Sequence, residues 1–310
     1  VAAGKRWITI ATEAAGGWRI AAAEMVGPPE SLLARLRALA AGSPVALGVD
    51  FPLGLPIAYV HAHPPGMPNF PEFLRVLGDR PTFFDVAATL EDISGARPFY
   101  PARGRAGMTR AAHAAALGLP DAAALSRACD RATAHRPAGA PVFWTLGANQ
   151  IGKAALHAWR HLVIPALSDA RPPRIWPFAG AFLTLLQPDE VAIAETYPAE
   201  ALRHLNMRLR GSKRRQPDRQ ALAPALHAAI AAVSGVAEDA LSRAIIDGFG
   251  MDAAAEDGFD SLLGVLCVLN VLAGRRPDHA PAQEAITRWE GWVLGQAEPP
   301  EEPPPLVVTW

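Results

Sequence analysis

The sequence predicts a mixed α/β fold with its chemistry gathered at strand ends, and three stretches predict it. The first is Val45 to Pro56, VALGVDFPLGLP. An apolar run ends in one carboxylate, Asp50, before Pro52, Gly54 and Pro56 break regular structure. An acid so placed sits at the rim of a buried sheet, where ligands of open α/β sheets bind. The second stretch, Val191 to Pro198 (VAIAETYP), has the same design, with Glu195 near the strand end. The third, EDGFD at 256–260 followed by SLLGVLCVLNVLA, reads as an apolar helix that begins with acids. The three are expected to converge on one carboxylate site.

Half of the 310 residues are apolar, enough for a sizeable core. A net charge of −1 gives no global field for nucleic acid or an anionic membrane, so any nucleic-acid contact needs a local basic patch. Cys129 and Cys267 each lie in an apolar helical pattern, which predicts no disulfide and a reducing, cytoplasmic setting. No secretory leader is read in the chain. The apolar run from Leu262 to Ala273 is shorter than the roughly 20 residues of a bilayer span, so a buried core helix and no membrane partner are expected.

Taken in order, residues 7–13 (WITIATE) alternate as a strand, Gly16-Gly17 makes a turn, and 18–24 (WRIAAAE) returns antiparallel. After Pro28-Pro29, SLLARLRALAAG spaces its apolar residues for a helix, with Gly42 at its end. The Asp50 strand follows. Residues 57–140 are dense in Pro and Gly and show no clear strand. Helical patterns at 70–77, 82–92, 107–117 and 120–134 predict a mostly helical insertion there. His61 and His63 have no matching Cys/His pair and are expected in an exposed loop. Arg127 and Asp130 lie at helical spacing and predict a surface ion pair.

Residues 142–145 and 174–178 predict short extended pieces, and Asn149 to Leu167 an amphipathic helix. Further helices are expected from about Ala199 to Met207, at 219–233 and at 237–245. Residues 286–295 (ITRWEGWVLG) predict a final strand or hairpin arm, and the Pro-rich 298–310 an extended tail. Residues 1–297 are therefore expected to form a single domain. The densest basic run is 203–219, where Arg203, Arg208, Arg210, Lys213, Arg214, Arg215 and Arg219 face one acid, Asp218. It predicts a solvated loop or, given the nearby Glu195 strand, a phosphate contact. It holds no aromatic residue on which single-stranded bases would stack.

Asp257 and Asp260 are three apart, on one face of a helix. Taken singly, each acid reads as a cap, a turn residue or an arginine partner. Two strand-end acids together with an i, i+3 pair resemble a site for Mg²⁺ or Mn²⁺, which prefer oxygen ligands. Two such ions about 4 Å apart can activate water and stabilise the leaving oxygen of a phosphodiester. The order hairpin, helix, Asp50 strand, helix, Glu195 strand, acidic final helix is similar to that of ribonuclease H-like folds. Here it would be a mixed sheet flanked by helices, with the helical insertion after the Asp50 strand.

The motifs GVDFPLGLP, RACDR at 127–131, ETYPAE at 195–200, SKRRQPDR at 212–219, DGFDSLLG at 257–264 and EGWVLG at 290–295 resemble the DUF429 family, predicted nucleases of ribonuclease H-like fold. The resemblance implies a catalytic, metal-binding set of Asp50, Glu195, Asp257 and Asp260, and places Lys213 and Arg127 in the family pattern. With Arg214 they are the candidate substrate-binding residues. The family carries a further aspartate on a first strand, followed by a short turn. Val1 to Trp7 resembles what comes after that turn, which implies a strand ahead of Val1. An intact mass matching residues 1–310 alone would refute it.

Three functions follow as expectations. The first is a metal-dependent nuclease. The second is a non-catalytic module on the same fold that binds nucleic acid or protein. The third is a phosphotransferase of the related actin-like fold, ranked last because Gly16-Gly17 is a hairpin turn and not a phosphate loop.

Overall fold

The structure, a computed structural model, describes residues 6–104, 107–133, 136–146, 151–252 and 254–297. The segment expected to follow a first strand (1–5), the start of the helix at Asn149 and the tail at 298–310 therefore lie outside the described residues.

The fold is mixed α/β, with three small sheets among the described residues. β1 (Trp7–Ile8), β2 (Ala11–Ala14), β3 (Gly17–Ile20) and β4 (Glu24–Met25) make the expected hairpin. β1 pairs antiparallel with β4, and β2 with β3. β5 (Val45–Val49), β6 (Arg174–Ile175) and β7 (Val191–Glu195) form a parallel sheet with β7 in the centre. All five residues of β7 are buried, the unbroken apolar run of a strand covered on both faces. β8 (Gly235–Ala237) pairs parallel with β3. Three residues between helices are too few to show alternation in the sequence.

The helices are α1 (Leu32–Ala40), α2 (Ile57–Ala62), α3 (Phe70–Leu77), α4 (Arg110–Ala116), α5 (Ile151–Ala158), α6 (Ile164–Leu167), α7 (Pro198–His204), α8 (Gln216–Gln220), α9 (Ala223–Ala232), α10 (Asp239–Ile246) and α11 (Ala255–Leu272). A π-helical turn, Trp159–Val163, joins α5 to α6, so the helix expected to end at Leu167 is continuous but locally widened. Side chains set two of the starts. Asn69 accepts from Glu72 N before α3, and Thr109 from Ala112 N before α4. α11 is apolar nearly all round because it is shared between cores. Leu262 and Leu266 pack into one cluster with α9 and α10, Val268 and Val271 into another with β7.

Several expectations are corrected. In 82–92 only the 3₁₀ turn Pro81–Phe84 forms. Beyond it Asp92 accepts from both the backbone N–H and the hydroxyl of Thr89, a local bond that competes with helix. Residues 120–134 make two 3₁₀ turns, split where Ser126 is extended. Residues 142–145 form no strand; Trp144 only bridges Tyr100. The helix expected at 219–233 divides into α8 and α9, with Pro224 in the first turn of the second. The left-handed residue that ends α1 is Ala41, one before Gly42. His61 and His63 do not share an exposed loop: His61 is on α2, and His63 turns its Nε2 to Leu117 O at 2.9 Å. Residues 286–290 are a π-helical turn, after which only Val293 bridges Glu195.

That last segment is what holds the loop after Asp50. Leu55 N donates to Trp289 O at 2.8 Å. A Cβ on Gly54 (φ +151°) would fall 2.0 Å from Glu290 O, and one on Gly291 (φ +66°) 2.0 Å from Leu53 O. Gly54→Ala should therefore lower stability by at least the 1–3 kcal/mol, roughly, of a residue forced into a glycine-only conformation. A urea midpoint unchanged from wild type would contradict the close approach.

Candidate carboxylate site

β5 and β7 run parallel in a register that sets Val49 opposite Glu195. Both strand-end acids thus reach the same sheet margin, because each strand stops at the same level. α11 passes across that margin by its first turns, bringing Asp257 and Asp260 to it. Asp50, Asp257 and Asp260 line one cleft.

Asp50 is solvent-exposed, yet it stands in a concave wall. Crowding by the surrounding protein, then the Asp260 charge, push its carboxyl up to about 7, against the pull of Lys213. Asp260 is raised to about 6, chiefly by burial, with Lys213 pulling the other way. Its Oδ2 accepts from Lys213 Nζ at 2.5 Å, while its Oδ1 is buried without a hydrogen-bond partner. The same ammonium lies 3.4 Å from Glu256, and Arg214 Nε 3.6 Å from the other Glu256 oxygen. Burial alone would lower the Lys213 ammonium, but Asp260 and its neighbours raise it, so it stays charged.

Glu195 is different. Its two oxygens are taken by Arg127, Nη1 to Oε2 at 2.6 Å and Nη2 to Oε1 at 2.7 Å, and Leu53 N donates to Oε2 at 2.8 Å. The same guanidinium binds Asp130, Nε to Oδ2 and Nη2 to Oδ1, both at 2.9 Å. Arg127 is 1% exposed and Glu195 6%. Burial raises the Glu195 carboxyl, and Arg127 opposes it. Arg127 itself is disfavoured by burial but held charged by Asp130 and Glu195. Glu290 closes the network through its side chain, accepting from Ile57 N and Ala128 N at 3.0 Å each.

Of the sequence-predicted residues, then, the structure gathers Asp50, Asp257, Asp260 and Lys213 at one cleft, with Arg214 beside them through Glu256. Glu195 is adjacent but turned inward. Arg127 is the clear correction: it is no surface ion pair with Asp130, and it has no exposed face to offer a phosphate. Its three-residue spacing to Asp130 sits on a 3₁₀ turn, and the second partner, 68 positions away, was invisible to local spacing. The basic run is not one patch. Arg219 is buried, donating to the carbonyls of Gly248 and Gly250. Glu256, named in the sequence only as part of the EDGFD stretch and given no role there, is the acid that links Lys213 and Arg214.

The donor set is all oxygen, and Asp260 Oδ1 is an orphaned buried acceptor, which suits a hard divalent cation. Among the described residues, no three His, Cys, Asp or Glu side chains already close on a common point as metal ligands. Lys213 instead lies among the acids. No helix of the described residues is long and apolar enough to cross a membrane. No family model, curated protein or solved structure matches the chain.

Proposed function

We propose that the chain is a divalent-metal-dependent phosphodiesterase acting on nucleic acid, of the ribonuclease H-like, DUF429 kind that its motifs resemble. The observation that carries this reading is the meeting of Asp50, Asp257 and Asp260 at one sheet margin, from a strand end and a helix more than 200 positions apart. Asp50, Asp257 and Asp260 would hold Mg²⁺ or Mn²⁺. The bound ion would supply a water of lowered pKa and charge stabilisation at the leaving oxygen. Glu195 acts from behind, its charge fixed by Arg127 beneath the Asp50 strand end. Lys213, part-exposed, and Arg214, exposed, stand beside the cleft through Asp260 and Glu256, and they meet the phosphate.

The test is hydrolysis of branched, single-stranded and double-stranded DNA and RNA in Mn²⁺. Because ligand carboxylates must be ionised, turnover and Mn²⁺ affinity should both climb with pH across the range from about 6 to about 7, where Asp260 and then Asp50 release their protons. A pH profile flat through that range would argue against these two acids as ligands.

A second reading has one observation in its favour: the Lys213–Asp260 contact already satisfies part of the cleft's charge. On that reading the protein is a non-catalytic module binding nucleic acid or protein. Salt-dependent binding with no metal-dependent turnover would select it.

A further inference from the structure

Lys213 reaches the carboxylates from a loop whose backbone is fixed from behind by one buried side chain. Arg219, near the end of α8, is 1% exposed. Its guanidinium donates to three carbonyls: Nε to Gly248 O at 2.8 Å, Nη2 to Gly250 O at 2.7 Å, and Nη1 to Lys213 O. A planar fork of donors suits a link between backbone oxygens of separate segments.

The lysine loop, the turn at 248–250 that follows α10, and α8 meet at this side chain. The turn is left-handed throughout, with φ of +63° at Gly248, +64° at Phe249 and +91° at Gly250. A Cβ on Gly248 would fall 2.8 Å from Gln216 O and 2.7 Å from Gln220 Cγ, so α8 lies directly against it. Gln216 Nε2 adds bonds to Asp247 O at 2.6 Å and to its Oδ1 at 3.0 Å. Two residues past the turn, Asp252 Oδ1 accepts from Ala254 N, and Asp252 O from Ala255 N, the first residue of α11.

The lysine loop is pinned on its other side as well. Ser212 N donates to Asp218 Oδ2 at 2.9 Å, and a Cβ on Gly211 (φ +124°) would fall 2.3 Å from the same oxygen. The Lys213 backbone is thus fastened to the chain that leads into α11. From there its ammonium meets Asp260 Oδ2 at 2.5 Å and Glu256 at 3.4 Å. A lysine on a loose loop would spend its time in water, because holding a long side chain in one rotamer costs entropy. Here the backbone is set in advance. An ammonium held on Asp260 repels a second cation at the same carboxylate far more than one dispersed in solvent.

We propose that Arg219 is a positioning residue that holds the Lys213 ammonium on Asp260, so that the carboxylates take up a divalent ion only against a resident cation. This rests on the reading of the acids as a metal site, and it identifies what sets that site's affinity.

The test is calorimetric titration with Mn²⁺ alone, at about pH 8, on wild type, Lys213→Met, Arg219→Gln and the double variant. Removing the ammonium should tighten Mn²⁺ binding about tenfold, and releasing it through Arg219→Gln about threefold, the scale of a close charge pair partly screened by solvent. The double variant should match Lys213→Met, because Arg219 acts only through Lys213. A merely structural role has the opposite sign: Arg219→Gln would weaken Mn²⁺ binding, and by the same factor whether or not Lys213 is present. That result would overturn the proposal. Arg219→Lys keeps the charge but not the three-carbonyl fork, so it should fall between wild type and Arg219→Gln, and it carries the same comparison if Arg219→Gln does not fold. Equal Mn²⁺ affinity in all the proteins would refute the positioning role and leave the metal reading standing. No Mn²⁺ bound by any of them would overturn both.

Discussion

Replacing Arg127 with Met is expected to destabilise the protein by about 3–5 kcal/mol, the cost of removing one partner from a buried ion network. The guanidinium is 1% exposed and serves two carboxylates through four hydrogen bonds between 2.6 and 2.9 Å. Without it, Glu195 keeps one backbone donor, Leu53 N, and Asp130 keeps the Arg127-position N–H. Two charges would then be buried with little to balance them, or would take up protons. Adding Glu195→Gln and Asp130→Asn to Arg127→Met should restore much of the loss, because no uncompensated charge remains. Urea denaturation of the three proteins measures both steps. The alternative suggested by the sequence, a phosphate contact, makes a different forecast: near-normal stability with a raised KM. A single variant that loses less than about 1 kcal/mol, the worth of a surface pair, would show that the network is not what holds the Asp50 and Glu195 strand ends together.

The sequence made the two parallel strands legible because each is an apolar run that stops at an acid and a proline, and a buried strand needs no alternation to be recognised. The hairpin and α11 were legible for similar local reasons: a Gly-Gly turn, and an apolar run too long for a strand. The acids at 50, 257 and 260 could be grouped from these positions alone. What local pattern could not reveal was which way each acid faces. Glu195 and Asp50 look alike in sequence, yet one is turned to Arg127 and the other into the cleft, and that choice is made by a 3₁₀ turn in the insertion. The insertion itself was misread at 82–92 and 120–134 because alanine-rich spacing resembles helix, while the Thr89–Asp92 bond and the extended Ser126 break it. The ITRWE turn was misread for the opposite reason. Its Ile, Thr and Trp favour strands, but its place is decided by tertiary contact, with Glu290 and Gly291 pressed against the loop at Leu53 and Gly54.

The double substitution Asp50→Asn, Asp260→Asn is expected to abolish metal-dependent turnover while making the metal-free protein more heat-stable at about pH 8. The first effect should exceed the roughly 10–100-fold that loss of a ligand's supporting partner costs, since here the ligands themselves are removed. The second follows from linkage. Both carboxyls titrate above the ordinary range in the folded protein, at about 7 and about 6. Their contribution to stability is therefore fully present below the unfolded value near pH 4 and is lost as pH rises through 6 and 7. Above that window the folded chain holds crowded negative charges, which the two amides remove. The substitutions also strip Lys213 of its closest acid, leaving it Glu256 at 3.4 Å, so the gain should be larger for Asp50→Asn alone than for Asp260→Asn alone. Mn²⁺ should raise the Tm of wild type by mass action and leave the double variant unmoved. Thermal melts in EDTA and in Mn²⁺ separate the two effects. A double variant that still hydrolyses nucleic acid in Mn²⁺, or whose Tm rises with Mn²⁺ as much as that of wild type, would exclude this cleft as the metal site whatever the fold around it.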